Sequence, residues 1–171
     1  TPFSNEAVNL LEKLNVNKYK IGSGDINNKL LIDRIALTKK ELILSTGLTT
    51  IEELDGIIQH IRFKNIPFSI LQCTTKYPTP PEEIGLNWIN IFSEKYLCPV
   101  GLSDHSGYIY SSLGAVALGA NIIEAHVTFD KRMFGPDATS SLTIDEFTEL
   151  VKGIRFIEKS RESIKKNTQQ N

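Results

Sequence analysis

His105 and His126 each close an apolar segment that reads as a buried strand, Pro99-Val-Gly-Leu-Ser-Asp-His105 and Asn121-Ile-Ile-Glu-Ala-His-Val-Thr-Phe129. An imidazole is a good ligand for a divalent metal, and neighbouring parallel strands lie about 4.8 Å apart, so two imidazoles at matching strand ends can share one ion. A strand histidine on its own is more often a satisfied core residue. The pair draws its chemical reading from the polar groups around it. Glu124 shares strand parity with His126 and therefore one face, so its carboxylate either orients a water or ligand at a metal or forms an ion pair inside the fold. The third histidine, His60, follows Ile57 and Ile58 in a helical pattern and is expected to face solvent.

Polar residues recur wherever an apolar segment ends: Lys20-Ile-Gly-Ser-Gly-Asp25, Ser45-Thr-Gly47, Gln72-Cys-Thr-Thr-Lys-Tyr77, Gly101-Leu-Ser-Asp-His105 and Glu124-Ala-His126. Such a ring suits an anionic small molecule. Lys20 supplies charge, and Ser23, Ser45, Thr46, Thr74 and Ser103 supply hydroxyls, while the glycines admit close backbone approach. Asp25 and Asp137 fall in loops at the same end and suit sugar hydroxyls. The competing account is that Ser, Thr, Asp and Gly cap helices and satisfy turns in such loops. Neither Gly22-Ser-Gly24 nor another glycine cluster completes a dinucleotide fingerprint or a Walker loop, so no nucleotide is inferred.

The elements that must position these residues alternate along the chain, short β-branched segments with longer amphipathic ones. Five strands are predicted, Tyr19 to Ser23, Glu41 to Thr46, Phe68 to Thr74, Pro99 to His105 and Asn121 to Phe129. Helices are predicted over Leu30 to Thr38, Thr50 to Phe63, Ile89 to Tyr96, Tyr110 to Leu118 and Ile144 to Glu158. A first helix over Ser4 to Leu14 places Ala7, Leu10, Leu11 and Leu14 on one face. Thr49 or Thr50 can cap the third of these six, with Glu52 and Glu53 in its first turn. Repeated βα units of this kind build a parallel α/β sheet, whose ligands gather where the strands end.

Composition excludes several function classes. At 171 residues, 40% hydrophobic and 23% charged, the chain has apolar material for one core. A net charge of −1 gives no electrostatic case for nucleic acid. No apolar run approaches the roughly 20 residues of a membrane span, and Thr1-Pro-Phe-Ser lacks the basic and apolar regions of a signal peptide, so a cytoplasmic location is expected. Cys73 and Cys98 are isolated and are expected to be reduced thiols packed as small hydrophobes. Ser160 to Asn171 reads as a polar, fraying tail behind a body spanning residues 1–159.

Taken in order, Lys20-Ile-Gly-Ser-Gly-Asp25 with Asn27-Asn28, Leu44-Ser-Thr-Gly47, Gln72-Cys-Thr-Thr-Lys-Tyr-Pro-Thr-Pro80, Gly101-Leu-Ser-Asp-His105, Ala115-Val-Ala-Leu-Gly-Ala120, Glu124-Ala-His126 and Gly135-Pro-Asp137 resemble the sialic acid (N-acetylneuraminate) synthase family from Thr1 to about Leu150. The resemblance implies a (β/α)8 TIM barrel followed by a small antifreeze-like domain. It also implies condensation of phosphoenolpyruvate with N-acetylmannosamine or a related N-acetylated aldose, a divalent metal, Mn2+ or Mg2+, and a homodimer for the full-length protein. Thr1, Lys20, Ser23 and Ser103 match positions that hold phosphoenolpyruvate, as does Thr75, where the family often has Asn or Ser. His105 and His126 match the metal ligands, and Tyr77 and Asp137 match sugar contacts. Asp25, where many members carry Glu, and Glu124 are the implied catalytic carboxylates; Gln72 stands where His is usual. The shorter carboxylate at Asp25 points to a different sugar, of legionaminic type or a spore-coat polysaccharide precursor.

A complete (β/α)8 barrel takes about 250 residues, and only five parallel βα units are visible here. The chain is therefore expected to be the C-terminal part of a TIM-barrel synthase domain, from the end of the third strand through the eighth, without the antifreeze-like domain, and inactive alone. Two other readings stand beside it. One is another phosphoenolpyruvate-dependent aldose synthase, of the 3-deoxy-octulosonate or heptulosonate phosphate type, which needs an extra basic site drawn from Lys76, Lys131 and Arg132. The other is a non-catalytic binding or assembly module.

Overall fold

Five strands pair in the order of the chain to form one parallel sheet: β1 (Lys18–Ile21), β2 (Glu41–Ser45), β3 (Phe68–Cys73), β4 (Val100–Asp104) and β5 (Ile122–Ala125). The computed structural model describes residues 1–162. Among these residues six α-helices accompany the sheet, α1 (Asn5–Lys13), α2 (Lys29–Ala36), α3 (Ile51–Phe63), α4 (Trp88–Tyr96), α5 (Tyr110–Ala117) and α6 (Ile144–Ser160). The result is an α/β half-barrel of five parallel βα units. Among the described residues β1 pairs only with β2 and β5 only with β4. No helix among them is long and apolar enough to cross a membrane.

Strand alternation sorts the residues into two faces. Leu42, Leu44, Ile70 and Leu102 are fully buried and join Ile32 and Ile35 of α2 and Leu54, Ile58 and Ile61 of α3 in one apolar core. The opposite parity carries the polar groups. Cys73 is in register with Ser103, and Ser103 with Glu124, so these three side chains form a row across β3, β4 and β5. The row lies near the C-terminal strand ends, where the following loops begin.

Helix starts are set by side-chain caps. Thr50 accepts from the Glu53 amide while the Glu53 carboxylate accepts from the Thr50 amide, and Thr143 and Glu146 do the same at α6. Both pairs satisfy amides that a helix leaves unbonded. Thr50→Ala is expected to cost about 1 kcal/mol, seen as a melting temperature lower by roughly 2–4 °C in a chain of this size. An unchanged calorimetric transition would show that the α3 cap contributes nothing.

The structure corrects four expectations. The segment Asn121 to Phe129 is not one strand: β5 stops at Ala125, and β6 (Val127–Thr128) pairs with β7 (Leu142–Thr143) in a separate two-stranded sheet. His126 sits at the break, its carbonyl accepting from the Leu142 amide at 2.8 Å. The face that α1 turns inward is Val8 with Leu11, because α1 packs against α2; Leu10 and Leu14 are exposed. His60 does not simply face solvent, since its Nε2 lies 2.7 Å from Asp33 Oδ1 on α2. Finally, α6 continues through Ser160, and Arg161 donates to the Val116 carbonyl at 2.9 Å, so the body extends past residue 159. The remainder of the expected tail, residues 163–171, lies outside the described residues.

Candidate active site

The C-terminal ends of β1, β3, β4 and β5 and the residues that follow them line a cavity of about 360 Å³. Lys20, Ser23, Thr75, Tyr77, Ser103, His105, Glu124 and His126, all singled out from the sequence, line it. Lys20 Nζ is 2.9 Å from Glu124 Oε2, and the same oxygen accepts from Ser103 Oγ at 2.6 Å. Of the two roles open to Glu124, the ion pair is thus the one the structure displays, and it stands on the cavity wall. Ser23 Oγ accepts from the Gly47 amide at 3.0 Å, which ties the turn after β1 to that after β2. Ser45 Oγ, at the end of β2, is buried with no hydrogen-bond partner.

The two imidazoles converge. Their ring centroids are 5.3 Å apart and the planes are inclined by 68°. His105 is buried, and its Nδ1 lies 2.9 Å from the Thr74 carbonyl, so the proton belongs on Nδ1 and the Nε2 lone pair is left for a ligand. Nε2 is 3.4 Å from both Tyr77 Oη and Ser103 Oγ. Tyr77 stacks on the His105 ring with centroids 4.2 Å apart, holding it in plane. His126 Nδ1 is 3.7 Å from Asp137 Oδ2, so Asp137 joins the site beside the second imidazole.

Burial by itself would lower the affinity of His105 for a proton, yet Cys73 and the Thr74 carbonyl outweigh it and hold the imidazole above its ordinary value. Burial likewise pushes the Cys73 thiol up, and hydrogen bonds with His105, Ser23 and Ser103 bring it below the usual range. The Tyr77 phenol is raised by burial first, then by the negative charge of Cys73, Asp137 and Glu124.

Several residues sit elsewhere than expected. Thr1 is exposed in the lead-in to α1 and does not line the cavity. Asp25 closes the tight turn Ser23–Asp25 and turns toward the start of α2, where Asn28 Nδ2 lies 3.4 Å from its carboxylate. Gln72 is buried and donates to the Ile84 carbonyl at 3.0 Å, on the opposite parity from the cavity row. Cys73, read from sequence as a packing thiol, lines the cavity with Sγ 3.4 Å from Ser23 Oγ; the signal was its parity, opposite to Gln72. Asp104 was not singled out. Its buried carboxylate accepts from the hydroxyls of Ser111 and Ser112 and from the Ser106 amide, pinning the turn behind His105 to α5. Three serines within eight residues of an aspartate were the available hint.

Two imidazoles beside hydroxyl and carboxylate groups fit a divalent ion of borderline hardness whose other positions belong to water and substrate oxygens. Among the described residues no group of three or more His, Cys, Asp and Glu side chains gathers into a closed cage. His105 has the fixed tautomer that such a ligand needs.

The model of the NeuB family matches residues 1–166 of the chain. The chain is 40% identical over 163 residues to the N,N'-diacetyllegionaminic acid synthase of Campylobacter jejuni, a match covering 94% of this chain and 49% of that protein. It is 36% identical over 155 residues to human N-acetylneuraminate-9-phosphate synthase, covering 90% and 43% respectively. Among solved structures, it is similar to the N-acetylneuraminic acid synthetase of Leptospira borgpetersenii in complex with citrate, with a TM-score of 0.90 and 34% identity over 99% of this chain and 59% of that one. The chain spans about half the length of the curated relatives it matches.

Proposed function

Since this chain belongs to the NeuB family, we propose that its cavity serves a nonulosonic acid synthase that condenses phosphoenolpyruvate with N-acetylmannosamine or a related N-acetylated aldose. The observation that carries this reading is the placement of the Lys20, Glu124 and Ser103 cluster directly beside the converging imidazoles of His105 and His126. One end of the cavity offers a cation and hydroxyls for an anion, and the other offers paired nitrogens for a metal.

In this reading Lys20 Nζ and the hydroxyls of Ser23 and Ser103 hold the phosphate and carboxylate of phosphoenolpyruvate, with Thr75 at the same wall. Tyr77 and Asp137, which flank the two imidazoles, hold the sugar. His105 and His126 bind the divalent metal, Mn2+ or Mg2+, whose chemistry when bound is to polarise the aldehyde carbonyl. The methylene carbon of phosphoenolpyruvate bonds to the aldehyde carbon, water adds to the oxygen-bearing carbon, and that carbon's bond to the phosphate oxygen breaks to release phosphate. Glu124 is placed to take the proton of the adding water, since its carboxylate already stands among cavity donors. Fixing both reactants in one cavity supplies much of the acceleration through orientation. Asp25, the other carboxylate given a catalytic role by the resemblance, follows Ser23 and Gly24 of the cavity wall in the same turn.

The cations near the strand ends favour an unphosphorylated aldose over a sugar phosphate. Lys76 pairs with Glu83 at 2.6 Å, Lys131 with Glu146 at 2.8 Å and Arg132 with Asp130 at 2.5 Å, and unlike Lys20 none of the three lines the cavity.

The test is phosphate release by the full-length protein supplied with phosphoenolpyruvate, N-acetylmannosamine and Mn2+. Lys20→Ala is expected to raise the KM for phosphoenolpyruvate roughly tenfold to hundredfold, the size of one lost hydrogen bond to a charged group. An unchanged KM in a folded variant would remove Lys20 from the anion site. No phosphate release from the wild-type protein with any N-acetylated aldose would overturn the reaction itself.

A further inference from the structure

Two loops carry the imidazole pair, and one ammonium group ties them together. Lys131 Nζ donates to the Gly107 carbonyl at 2.8 Å and to Glu146 Oε1 at 2.8 Å. Gly107 lies two residues beyond His105, Lys131 five beyond His126, and Glu146 in the first turn of α6. The contact therefore joins the turn after β4, the loop after β6 and the start of α6. Lys131 Nζ also stands 5.5 Å from the centre of the Tyr108 ring, and only 28% of the side chain is exposed.

Each partner in this clamp is itself held. Glu146 Oε2 accepts from the Thr143 amide at 2.7 Å as part of the α6 cap. Burial raises its carboxyl, but Lys131 and the cap more than compensate and keep it below the usual carboxylate range. Gly107 has a φ of +74°, and a Cβ there would lie 2.7 Å from the Thr139 carbonyl oxygen, so the turn after His105 packs directly on the segment that follows Asp137. Little slack remains on any side of the ammonium.

We infer that Lys131 is a positioning residue: the pairing of Asp104 with Ala125 sets the spacing of the two histidines that follow, and Lys131, without touching either ring, holds the loop after each against the other and so fixes their mutual orientation. His126 follows the end of β5, and its carbonyl is held by Leu142. Beyond β6 the chain reaches the His105 turn through the ammonium of Lys131. Without that ammonium the Gly107 carbonyl loses its donor, Glu146 loses its counter-ion, and only the packing of Gly107 on Thr139 and Ser140 still joins the two loops. The consequence for metal affinity rests on the proposed metal site; the geometric claim does not.

The test uses the full-length protein. In the wild type, rings whose centroids are 5.3 Å apart are expected to give nuclear Overhauser cross-peaks between the His105 and His126 ring protons. Lys131→Met is expected to weaken those cross-peaks several-fold while leaving the α3 amide resonances in place, and Lys131→Arg, which keeps the charge and two donors, is expected to restore them. The Mn2+ dissociation constant, read by electron paramagnetic resonance, should rise roughly tenfold in Lys131→Met, the scale seen when a group supporting a metal ligand is lost. Cross-peaks of wild-type intensity in a folded Lys131→Met chain would overturn the inference, as would their absence from the wild type. If Lys131→Met does not fold, Glu146→Gln, which retains an acceptor for the Thr143 amide, decides by the same cross-peaks. A wild-type chain that shows the cross-peaks yet binds no Mn2+ overturns the metal site and leaves the positioning to the cross-peaks of the variants.

Discussion

Replacing His126 by Ala is expected to abolish Mn2+ binding at the cavity and to lower kcat/KM of the full-length enzyme by roughly 10³-fold. A divalent ion supplies several kcal/mol of charge stabilisation to a polarised carbonyl, and each 1.4 kcal/mol or so is worth about a factor of ten in rate. His126 is the better choice of the two imidazoles because about a third of its side chain is exposed (34%), whereas His105 is buried and bonded to the Thr74 carbonyl. Its loss should therefore leave the melting temperature nearly unchanged. Electron paramagnetic resonance of added Mn2+ and phosphate release measure the two effects. Binding and turnover close to wild type would remove His126 from the site, and a collapsed fold would assign it a structural part instead.

Gly101→Ala should be the most destabilising single methyl addition in the sheet. A Cβ at this position would lie 2.1 Å from the Ile122 carbonyl oxygen and 2.7 Å from Leu71 Cδ2. The first contact is with backbone, and Gly101 is in register with Ile122 across the β4 and β5 pair, so relief requires the two strands to separate. Overpacking of this kind costs about 3 kcal/mol or more, which corresponds to a melting temperature lower by at least roughly 6–12 °C. β5 leads into His126, so Mn2+ affinity should fall with stability. A calorimetric transition within a degree or so of wild type would show that the strands can spread at little cost.

Periodicity placed the five strands of the main sheet and the six α-helices, with most boundaries within two residues, but not β7, because β-branched runs and amphipathic stretches differ in spacing only over elements longer than its two residues. Thr50 as a cap was legible from local chemistry alone. The break at His126 was not. Residues 121–129 are continuously strand-like, and what divides them is a distant pairing with Leu142–Thr143 that no local pattern announces. For the site, parity alone put Glu124 and His126 on one face, and the structure places both on the cavity wall. Cys73 needed the inter-strand register as well, since only its alignment with Ser103 and Glu124 shows which face it joins. Thr1 and the catalytic role of Asp25 came from family resemblance and not from spacing, and in the structure neither residue lines the cavity.

The strand order has a consequence for how the molecule comes together. Each strand pairs with the next one along the chain, so every stage of a growing polypeptide can add one βα unit to a sheet already present. Such nearest-neighbour assembly keeps contact order low for a parallel fold and lets structure propagate from one unit to the next along the chain. The binding groups do not appear at the same pace: Lys20 and Ser23 belong to the first strand end, His105 to the fourth and His126 to the fifth. The Lys20 and Ser23 end of the cavity is thus translated before the imidazole pair of the proposed metal site, which is completed only when β5 docks on β4.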